Sequence, residues 1–262
     1  MLAVTFQEPG RVAVEERPEP ELIARDDAVV RVDASGICGS DLHIFHGRIE
    51  MEQGFTIGHE YVGTVLAAGD VMGTGYHAIV SADLAPGDTC AVVGLGPVGL
   101  CATMAARVAG ASRVIAIDVV PERLEMARLL GAEPVHLTDE DPRAAVKVAT
   151  EGRGVDVAVE AVGNEKALDL AVRLTRKAGT VSVVGVYAER AQVHMGLVWI
   201  KNLTIVGGQA NVMGHLDSVL SLMAAGRLDP TPLVTHHMKL ADAQEAYDAY
   251  AAHQALKIVL SA

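Results

Sequence analysis

Short apolar runs separated by glycine-rich and charged segments occupy most of the chain. Valine-rich runs such as TCAVV, RVIAID and VDVAVE alternate with Ala- and Leu-rich stretches of helical character. Buried strands that alternate with helices are typical of parallel sheets covered on both faces. From about Asp70 onward, the pattern therefore predicts an α/β fold with a doubly wound parallel sheet.

The first seventy residues follow a different pattern. Residues 1–33 contain short Val-containing runs between Pro, Gly and charged clusters (LAVTF, RVAVEE, DAVVRVD), which predicts short antiparallel strands. Residues 34–60 are rich in Gly and His and lack helical periodicity, so we expect a site built from loops, followed by a strand in YVGTVLAAG. Downstream, the predicted helices include VMGTGYHAIVSADLA, LCATMAARVAGA, PERLEMARLLGA, HLDSVLSLMAAGRL and ADAQEAYDAYAAHQ, and KIVLS forms a terminal strand.

Composition restricts the partners more than the fold. Aromatic residues make up only 3% of the 262 residues, so the core must be aliphatic, and the net charge of −12 argues against nucleic acid or an anionic membrane as partner. No apolar run is long enough to span a bilayer, and the N-terminus lacks the pattern of a signal peptide. Three cysteines are too few for a disulfide framework. We therefore expect a soluble protein of the cytoplasm.

A glycine-rich turn follows the predicted strand CAVV and precedes a helix. Its residues Gly94, Gly96 and Gly99 form a G-x-G-x-x-G motif that also contains Pro97 and Val98. In this context the first glycine permits a tight turn, the second lets backbone N–H groups approach a pyrophosphate, and the third allows close packing of helix on strand. The motif predicts a dinucleotide site at the positive end of the helix.

An acidic residue at the end of the next strand supports this interpretation. Asp118 ends RVIAID, 19 positions after Gly99. A carboxylate there binds the ribose hydroxyls and repels a 2′-phosphate, so the sequence favours NAD over NADP. Arg123 is a further candidate for the ribose contact, although a surface role on its helix explains it equally well. Cys90 and Cys101 flank the turn, and we interpret both as core residues.

Two further motifs lie upstream of the dinucleotide motif. GICGSDLH spans 36–43 and GHEYVG spans 58–63. Their pairing and order resemble the zinc-dependent medium-chain alcohol dehydrogenases, and the resemblance covers essentially the whole chain. It implies a Rossmann domain, a GroES-like β-rich N-terminal domain, and transfer of a hydride between an alcohol or aldehyde and NAD(H).

The resemblance implies a catalytic zinc ion held by Cys38 and His59. A catalytic zinc needs about three protein ligands and an open position, as in alcohol dehydrogenases with their Cys₂His set. Because the two later cysteines are expected in the core, the third ligand is expected to be a carboxylate. We select Asp70, since D-V-M-G-T-G-Y-H at 70–77 resembles a motif of the formaldehyde dehydrogenase branch. A helix N-cap is the alternative role for this residue.

Neighbouring residues receive roles from the same resemblance. Ser40 is expected to bond the substrate oxygen, and His43 to relay the hydroxyl proton outward. Asp41 is expected to orient His59 by a hydrogen bond. Glu60 resembles the glutamate that can become a fourth zinc ligand. Residues expected to contact the cofactor from other segments are Thr74, Val162, Gly185 and, near the pyrophosphate, Lys257.

Part of the family pattern is missing. His59 and Asp70 are eleven residues apart, where the family normally has several dozen more residues, and no cysteine cluster for a structural zinc occurs. We therefore expect one catalytic zinc, no structural zinc, and a truncated GroES-like domain at 1–70 with a contribution from about 225–262. The Rossmann domain is expected at 71–224. Exposed edges of a reduced domain favour a homodimer, formed through the strand near LTIVGG.

Three functions remain compatible with these residues. The first is an NAD-dependent zinc alcohol dehydrogenase acting on a small alcohol or aldehyde. The second is a remnant that binds NAD(H), with or without a metal ion, but has little or no activity. The third, a zinc-free reductase of the same superfamily, gives no reason for keeping Cys38, His59 and Asp70 together. The substrate itself has no local pattern in the sequence.

Overall fold

The computed structural model describes residues 1–20, 32–62 and 70–261. The chain divides into two compact units, one made of Met1–Ala67 with Thr231–Ala262 and the other of Ala68–Pro230. Within the described residues, no helix is both long and apolar enough to cross a membrane.

Strands and helices alternate through most of the chain. The strands, in order, are β1 (Leu2–Glu8), β2 (Arg11–Glu16), β3 (Ala34–Ile37), β4 (Glu60–Val62), β5 (Thr89–Val93), β6 (Arg113–Asp118), β7 (Glu133–His136), β8 (Val155–Glu160), β9 (Thr175–Val183), β10 (Thr204–Gly207), β11 (Val234–Lys239) and β12 (Lys257–Ser261). The α-helices are α1 (Gly39–Phe45), α2 (Val71–Ser81), α3 (Pro97–Val108), α4 (Pro121–Leu129), α5 (Pro142–Ala149), α6 (Glu165–Leu174), α7 (Met195–Lys201), α8 (Val212–Ala224) and α9 (Ala243–Ala251). Short 3₁₀ turns occupy Thr231–Leu233 and Leu240–Asp242.

The second unit is a doubly wound α/β domain. Its six strands are all parallel, in the order β10-β9-β8-β5-β6-β7. This is the Rossmann order, in which the chain leaves the middle of the sheet in both directions from β5. The predicted parallel sheet is confirmed, and β5 stands beside the point at which the strand order reverses.

Local signals explain where the helices of this unit begin. Proline occupies the first turn of α3, α4 and α5, where its missing N–H costs nothing. The side chain of Asn164 accepts the N–H of Ala167 and so caps α6. Helices α3, α4, α5 and α6 then pack on the sheet, whereas α8 packs on α2, and the resulting core is almost entirely aliphatic.

Both predicted core cysteines lie in this unit. Cys90 on β5 and Cys101 on α3 are fully buried, which confirms their interpretation as core residues. Burial, reinforced by Asp156 and Asp88, raises the pKa of the Cys90 thiol to about 12. Burial also raises the pKa of Cys101, with a smaller contribution from Asp70. Both thiols therefore stay protonated at neutral pH.

The first unit contains two small sheets. Strands β1 and β2 form an antiparallel hairpin, and the other sheet has the order β11-β12-β3-β4. In the second sheet, β11 runs parallel to β12, while the remaining pairs are antiparallel. The core between these elements contains Phe6, Phe45, Tyr247 and Ile258. The C-terminal strand β12 thus lies in the middle of the sheet that carries β3.

Several local predictions need correction. Residues 34–60 are not only loop, because β3 and the helix α1 flank Cys38. Strand β11 and helix α7 were not predicted at all. Of the predicted strand at 61–69, the first two residues belong to β4, and the others lie outside the described residues. Most of the predicted strand DAVVRVD lies outside them as well.

Candidate active site

Cys38 lies at the junction between β3 and α1. Its side chain is buried, and its backbone N–H donates to Asp41 Oδ2 at 3.0 Å. Cys38 is the N-cap of α1 and Asp41 is the third residue of that helix, so the contact is a capping box. The sequence C-G-S-D therefore fixes the backbone around the thiol, and Asp41 is itself fully buried.

His59 brings an imidazole to the same place. Its Nε2 lies 2.9 Å from Cys38 Sγ and 3.1 Å from Ser40 Oγ. On the other side of the ring, Nδ1 lies 3.2 Å from Asp41 Oδ1. The Ser40 hydroxyl is also 2.7 Å from Cys38 Sγ. Four of the predicted residues, Cys38, Ser40, Asp41 and His59, are thus brought into one cluster within the first unit.

This donor set fits a zinc ion. A thiolate and an imidazole are the ligands that zinc prefers in proteins. A carboxylate on the far ring nitrogen fixes the tautomer that directs the Nε2 lone pair toward a metal. Asp41 holds that position toward His59, and its Oδ1 has no other hydrogen-bond partner among the described residues. About half of the His59 side chain is exposed, so the cluster is accessible from solvent.

Glu60 and Lys257 form a buried ion pair beside the cluster. Glu60 starts β4, Lys257 starts β12, and both side chains are almost completely buried. Burial lowers the pKa of Lys257 to about 8, although Cys38 and Asp41 act in the opposite direction. Gly36 of β3 lies against the Glu60–Lys257 ion pair, and a Cβ atom on Gly36 would be only 2.7 Å from Glu60 Oε2. The Lys257 ammonium is therefore committed to Glu60, and its predicted contact with the cofactor pyrophosphate stays a prediction.

Glu60 keeps one carboxylate oxygen unused. Its Oε2 binds Lys257, whereas Oε1 is buried and has no hydrogen-bond partner among the described residues. A role as an additional zinc ligand would require this carboxylate to leave the ion pair. That role also stays a prediction.

His43 lies on α1, two residues after Asp41. It is half-buried, and its Nδ1 has no hydrogen-bond partner within the described chain. Burial, followed by the charges of Arg48 and His46, lowers the pKa of His43 below its usual value of 6.5. The ring is therefore neutral at pH 7 and has a nitrogen able to accept a proton.

Asp70 is located in the second unit, as the residue immediately before α2. The N–H of Thr74 donates to the Asp70 carbonyl at 2.7 Å, and the Thr74 hydroxyl to Asp70 Oδ1 at 3.4 Å. The Asp70 side chain does not cap the helix in the usual manner, since it accepts no backbone N–H of the first turn. Asp70 is the N-cap residue of α2 by position, and its role as a zinc ligand stays a prediction.

The glycine-rich turn has the geometry that its motif requires. Gly94 follows β5 with φ of +92°, a conformation that strongly favours glycine. A Cβ on Gly99 would collide with the carbonyl oxygen of Gly94, whereas one on Gly96 would meet nothing within 4 Å. Gly96 is the N-cap of α3, Pro97 begins the helix, and Val98 follows it. The open space at Gly96 and the helix N-terminus suit a bound phosphate.

Asp118 lies beside this turn at the end of β6. Its Oδ2 accepts the Leu95 N–H at 2.6 Å, and its Oδ1 accepts those of Val119 and Val120 at 2.7 and 2.9 Å. The guanidinium of Arg123 is 3.9 Å away. The carboxylate thus joins the glycine turn to the next βα loop, and its Oδ2, which accepts a single N–H, keeps a lone pair for a ribose hydroxyl.

The loops after β8 and β9 meet at the same edge of the sheet. Val162 contacts Gly94 with its side chain, and Gly185 packs against Gly163 so closely that a Cβ atom would collide with its nitrogen. Dinucleotides bind at the carboxyl ends of the strands where the order reverses. The structure places Val162 and Gly185 at those strand ends.

Glu160 was not recognised from the sequence. It is the last residue of β8, and its buried carboxylate accepts the N–H groups of Val162 and Gly163, both at 2.8 Å. The signal that could have found it is a single acidic residue at the end of an otherwise apolar strand, just before A-V-G.

Comparison with known proteins decides the family. The model for the alcohol dehydrogenase GroES-like domain matches residues 24–121, and that for zinc-binding dehydrogenases matches residues 97–224. The solved alcohol dehydrogenase TADH from Thermus sp. ATN1 is 33% identical with a TM-score of 0.93, and the match covers 100% of this chain and 99% of that one. The chain belongs to the zinc-dependent medium-chain alcohol dehydrogenases.

Curated relatives agree with this assignment. An alcohol dehydrogenase of Cupriavidus necator is 29% identical over 352 aligned positions, which cover 96% of this chain and 95% of the relative. A medium-chain reductase/dehydrogenase of Acremonium sp., ucsI, is 30% identical over 71% of this chain and 94% of its own length. Membership in this alcohol dehydrogenase family makes the chain an oxidoreductase, and confirms the predicted Rossmann and GroES-like parts.

Proposed function

We propose that the protein transfers a hydride between a small alcohol or aldehyde and NAD(H), at a single catalytic zinc held by Cys38, His59 and Asp70. The observation that carries the proposal is the Cys38–His59 pair at 2.9 Å with Asp41 behind the imidazole. This arrangement prepares two zinc ligands and fixes their orientation before any ion binds. Asp70 supplies the third ligand through its carboxylate, as the formaldehyde dehydrogenase-like motif suggests.

Ser40 and His43 handle the hydroxyl proton. When bound, zinc supplies Lewis-acid activation of the substrate oxygen. The Ser40 hydroxyl lies within hydrogen-bond distance of both Cys38 Sγ and His59 Nε2, which puts it where a substrate oxygen would bind. His43, whose ring is neutral at pH 7 and whose Nδ1 makes no hydrogen bond within the described chain, is assigned the relay of this proton.

The Asp118 carboxylate favours NAD over NADP. It is nearly buried at the end of β6 and already close to Arg123. A 2′-phosphate placed there would face a negative charge, whereas free ribose hydroxyls would donate to it. Thr74, Val162 and Gly185 are assigned to the remaining contacts with the cofactor.

The catalytic domain is proposed to be a reduced form of the family's domain. The alignment with the Cupriavidus necator enzyme extends over 352 positions, although this chain has only 262 residues. With three cysteines in all, two of them buried in the Rossmann core, the chain cannot build a four-cysteine structural zinc site. We assign it one zinc ion.

A second copy of the chain is the proposed partner. Strand β10 is the edge of the six-stranded sheet, and helix α7 before it exposes Met195, Trp199 and Ile200. The side chain of Trp199 is 82% exposed. Isolated edges and large exposed apolar side chains are normally covered, and two copies related by a twofold axis cover both features at once.

A zinc-content measurement tests the proposed site. We expect about one zinc per chain in protein purified without chelators, and loss of most of it in Cys38→Ala and in Asp70→Asn. Asp139→Asn is the matched control, because Asp139 is an exposed carboxylate far from the cluster in sequence. Zinc content that is unaffected by Asp70→Asn would remove Asp70 from the ligand set. Zinc content near zero in the unaltered protein would favour a remnant that binds only NAD(H).

A further inference from the structure

Glu160 places a carboxyl group in the interior of the Rossmann domain. It ends β8, a strand whose six residues are all buried, and its own exposure is 0%. Burying a carboxylate is costly unless it is fully hydrogen-bonded. The contacts of this carboxylate therefore indicate its role.

The carboxylate accepts hydrogen bonds from three donors in two different loops. Its Oε1 accepts the N–H groups of Val162 and Gly163, both at 2.8 Å, and its Oε2 accepts the Tyr187 hydroxyl at 2.9 Å. Burial raises the pKa of Glu160, while these donors act in the opposite direction. The side chain is the shared acceptor that joins the loop after β8 to the loop after β9.

The backbone of the same residue strengthens this connection. The carbonyl oxygen of Glu160 accepts the N–H groups of Val184 and Gly185 at 2.9 and 3.0 Å. A Cβ on Gly163 would collide with the carbonyl of Val186, so the two loops approach at backbone distance. Glu160 is thus hydrogen-bonded to both loops through its main chain and its side chain.

These loops occupy a defined half of the dinucleotide crevice. Strands β5, β6 and β7 lie on one side of the point where the strand order reverses, and β8, β9 and β10 lie on the other. In this fold each half of the sheet receives one mononucleotide of the cofactor. With the adenosine ribose assigned to Asp118 after β6, the loops held by Glu160 face the nicotinamide mononucleotide. The side chain of Val162 also contacts Gly94, so the loop after β8 touches the glycine-rich turn assigned to the pyrophosphate.

We propose that Glu160, together with Tyr187, is a positioning residue that holds these two loops in the conformation that receives the nicotinamide half of the cofactor. The inference rests on the proposed use of NAD(H). It adds a residue that does not touch the cofactor itself but sets where Val162, Gly163 and Gly185 present their backbone.

Comparing NADH with ADP-ribose tests this role. ADP-ribose carries the adenosine, the pyrophosphate and the second ribose of the cofactor and lacks only the nicotinamide ring, so the comparison isolates the contribution of that ring. We expect Glu160→Ala to weaken NADH binding by about tenfold or more, the loss that corresponds to a buried hydrogen bond to a charged group. ADP-ribose binding should change less than about twofold. Titration calorimetry measures both affinities on the full-length chain.

Two further variants separate positioning from folding. Glu160→Gln keeps an oxygen for the two N–H groups and should restore most of the NADH affinity. Tyr187→Phe removes only one donor and should weaken NADH binding by about threefold without affecting ADP-ribose, since a neutral hydrogen bond contributes about 1 kcal/mol. If Glu160→Ala does not fold, the Tyr187→Phe result decides the question.

The alternatives give different results. Equal loss of NADH and ADP-ribose affinity in the variants would mean that Glu160 only stabilises the fold. That result would overturn the inference but not the proposed use of NAD(H) by the unaltered protein. Unchanged NADH affinity in both Glu160→Ala and Tyr187→Phe would overturn it as well. Unaltered protein that binds neither ligand contradicts the proposed function, and the inference fails with it.

Discussion

The carboxylate of Asp41 lies 3.2 Å from Nδ1 of His59, with its Oδ1 directed at the side of the ring opposite Cys38. This contact determines which imidazole nitrogen is available to a metal ion. Because Asp41 is fully buried and its other oxygen is held by the Cys38 N–H, the orientation is rigid.

Asp41→Asn should therefore weaken zinc binding by about 10- to 100-fold, the usual cost of losing the group that orients a metal-binding histidine. Competition with a chromogenic chelator measures the affinity. Glu50→Gln, the same change at an exposed carboxylate of the same unit, should leave it unaltered. Equal zinc affinity in the Asp41 variant and the unaltered protein would show that Asp41 does not orient the ligand.

Gly96 and Gly99 should respond differently to alanine. A Cβ at Gly99 collides with the Gly94 carbonyl, so Gly99→Ala should lower the melting temperature and abolish NADH binding together. Gly96 has φ of −63° and free space around it, so Gly96→Ala should fold normally. Its methyl group instead blocks the approach of the pyrophosphate, and NADH affinity should fall by about tenfold or more.

Thermal melts and NADH fluorescence titrations of the two variants check this pair. Full NADH affinity in Gly96→Ala would place the pyrophosphate away from this turn.

Protonation of Asp156 should lower the free energy of unfolding at acid pH. Burial acts to raise the pKa of Asp156, but hydrogen bonds from Arg153, Arg176 and Thr89 prevail and hold it well below the usual value. Its stabilisation is therefore fully present above pH 4 or so and is lost as the pH falls through the folded-state pKa. Asp156→Asn should cost about 3 kcal/mol at pH 7, typical of breaking a buried ion pair.

Urea unfolding of both proteins between pH 2 and 7 provides the measurement. The difference in the free energy of unfolding between the unaltered protein and Asp156→Asn should decrease as the pH falls below about 4. Asp169→Asn, which breaks the exposed pair with Arg173, should cost less than about 1 kcal/mol. A difference in the free energy of unfolding that stays constant down to pH 2 would contradict the lowered pKa of Asp156.

The exposed face of α7 should be required for dimer formation. Trp199→Glu places a charge at the centre of the proposed contact and should convert the dimer to a monomer with unchanged secondary structure. Leu129→Glu is the control, since Leu129 is also exposed but lies on α4. Light scattering after size-exclusion chromatography measures the mass. A monomeric unaltered protein, or a dimer that survives Trp199→Glu, would exclude this interface.

The sequence predicted the Rossmann unit well, because its signals are local. Apolar strands, the G-x-G-x-x-G turn and the alternation of strands with helices each act within a few residues, and the prediction of a parallel sheet followed from them. Helix α1 was missed because its seven residues are too few to show a helical period. Strand β11 was missed because its sequence, VTHHMK, is mostly polar and lacks the regular apolar–polar alternation that indicates a strand.

Contacts between distant residues were beyond local reasoning. Glu60 and Lys257 are 197 residues apart, and only the pairing of β12 with β3 and of β3 with β4 brings them together. The cofactor role of Lys257 came from the family resemblance alone and stays a prediction, whereas its ion pair with Glu60 had no signal in the sequence. Glu160 was missed for the same reason, since its importance depends on Tyr187 in a different loop. The Cys38, Asp41 and His59 cluster was predicted because the family motifs specify these residue types.

Alcohol-dependent formation of NADH, followed at 340 nm before and after removal of zinc by a chelator, tests the proposed zinc-dependent reaction. We expect turnover with at least one small alcohol, its loss on chelation, its return with added zinc, and its absence in Cys38→Ala. Absence of turnover across a panel of primary alcohols and polyols, in protein that binds zinc and NADH, would contradict the proposed alcohol dehydrogenase activity. It would leave a protein that has kept its cofactor site without the reaction.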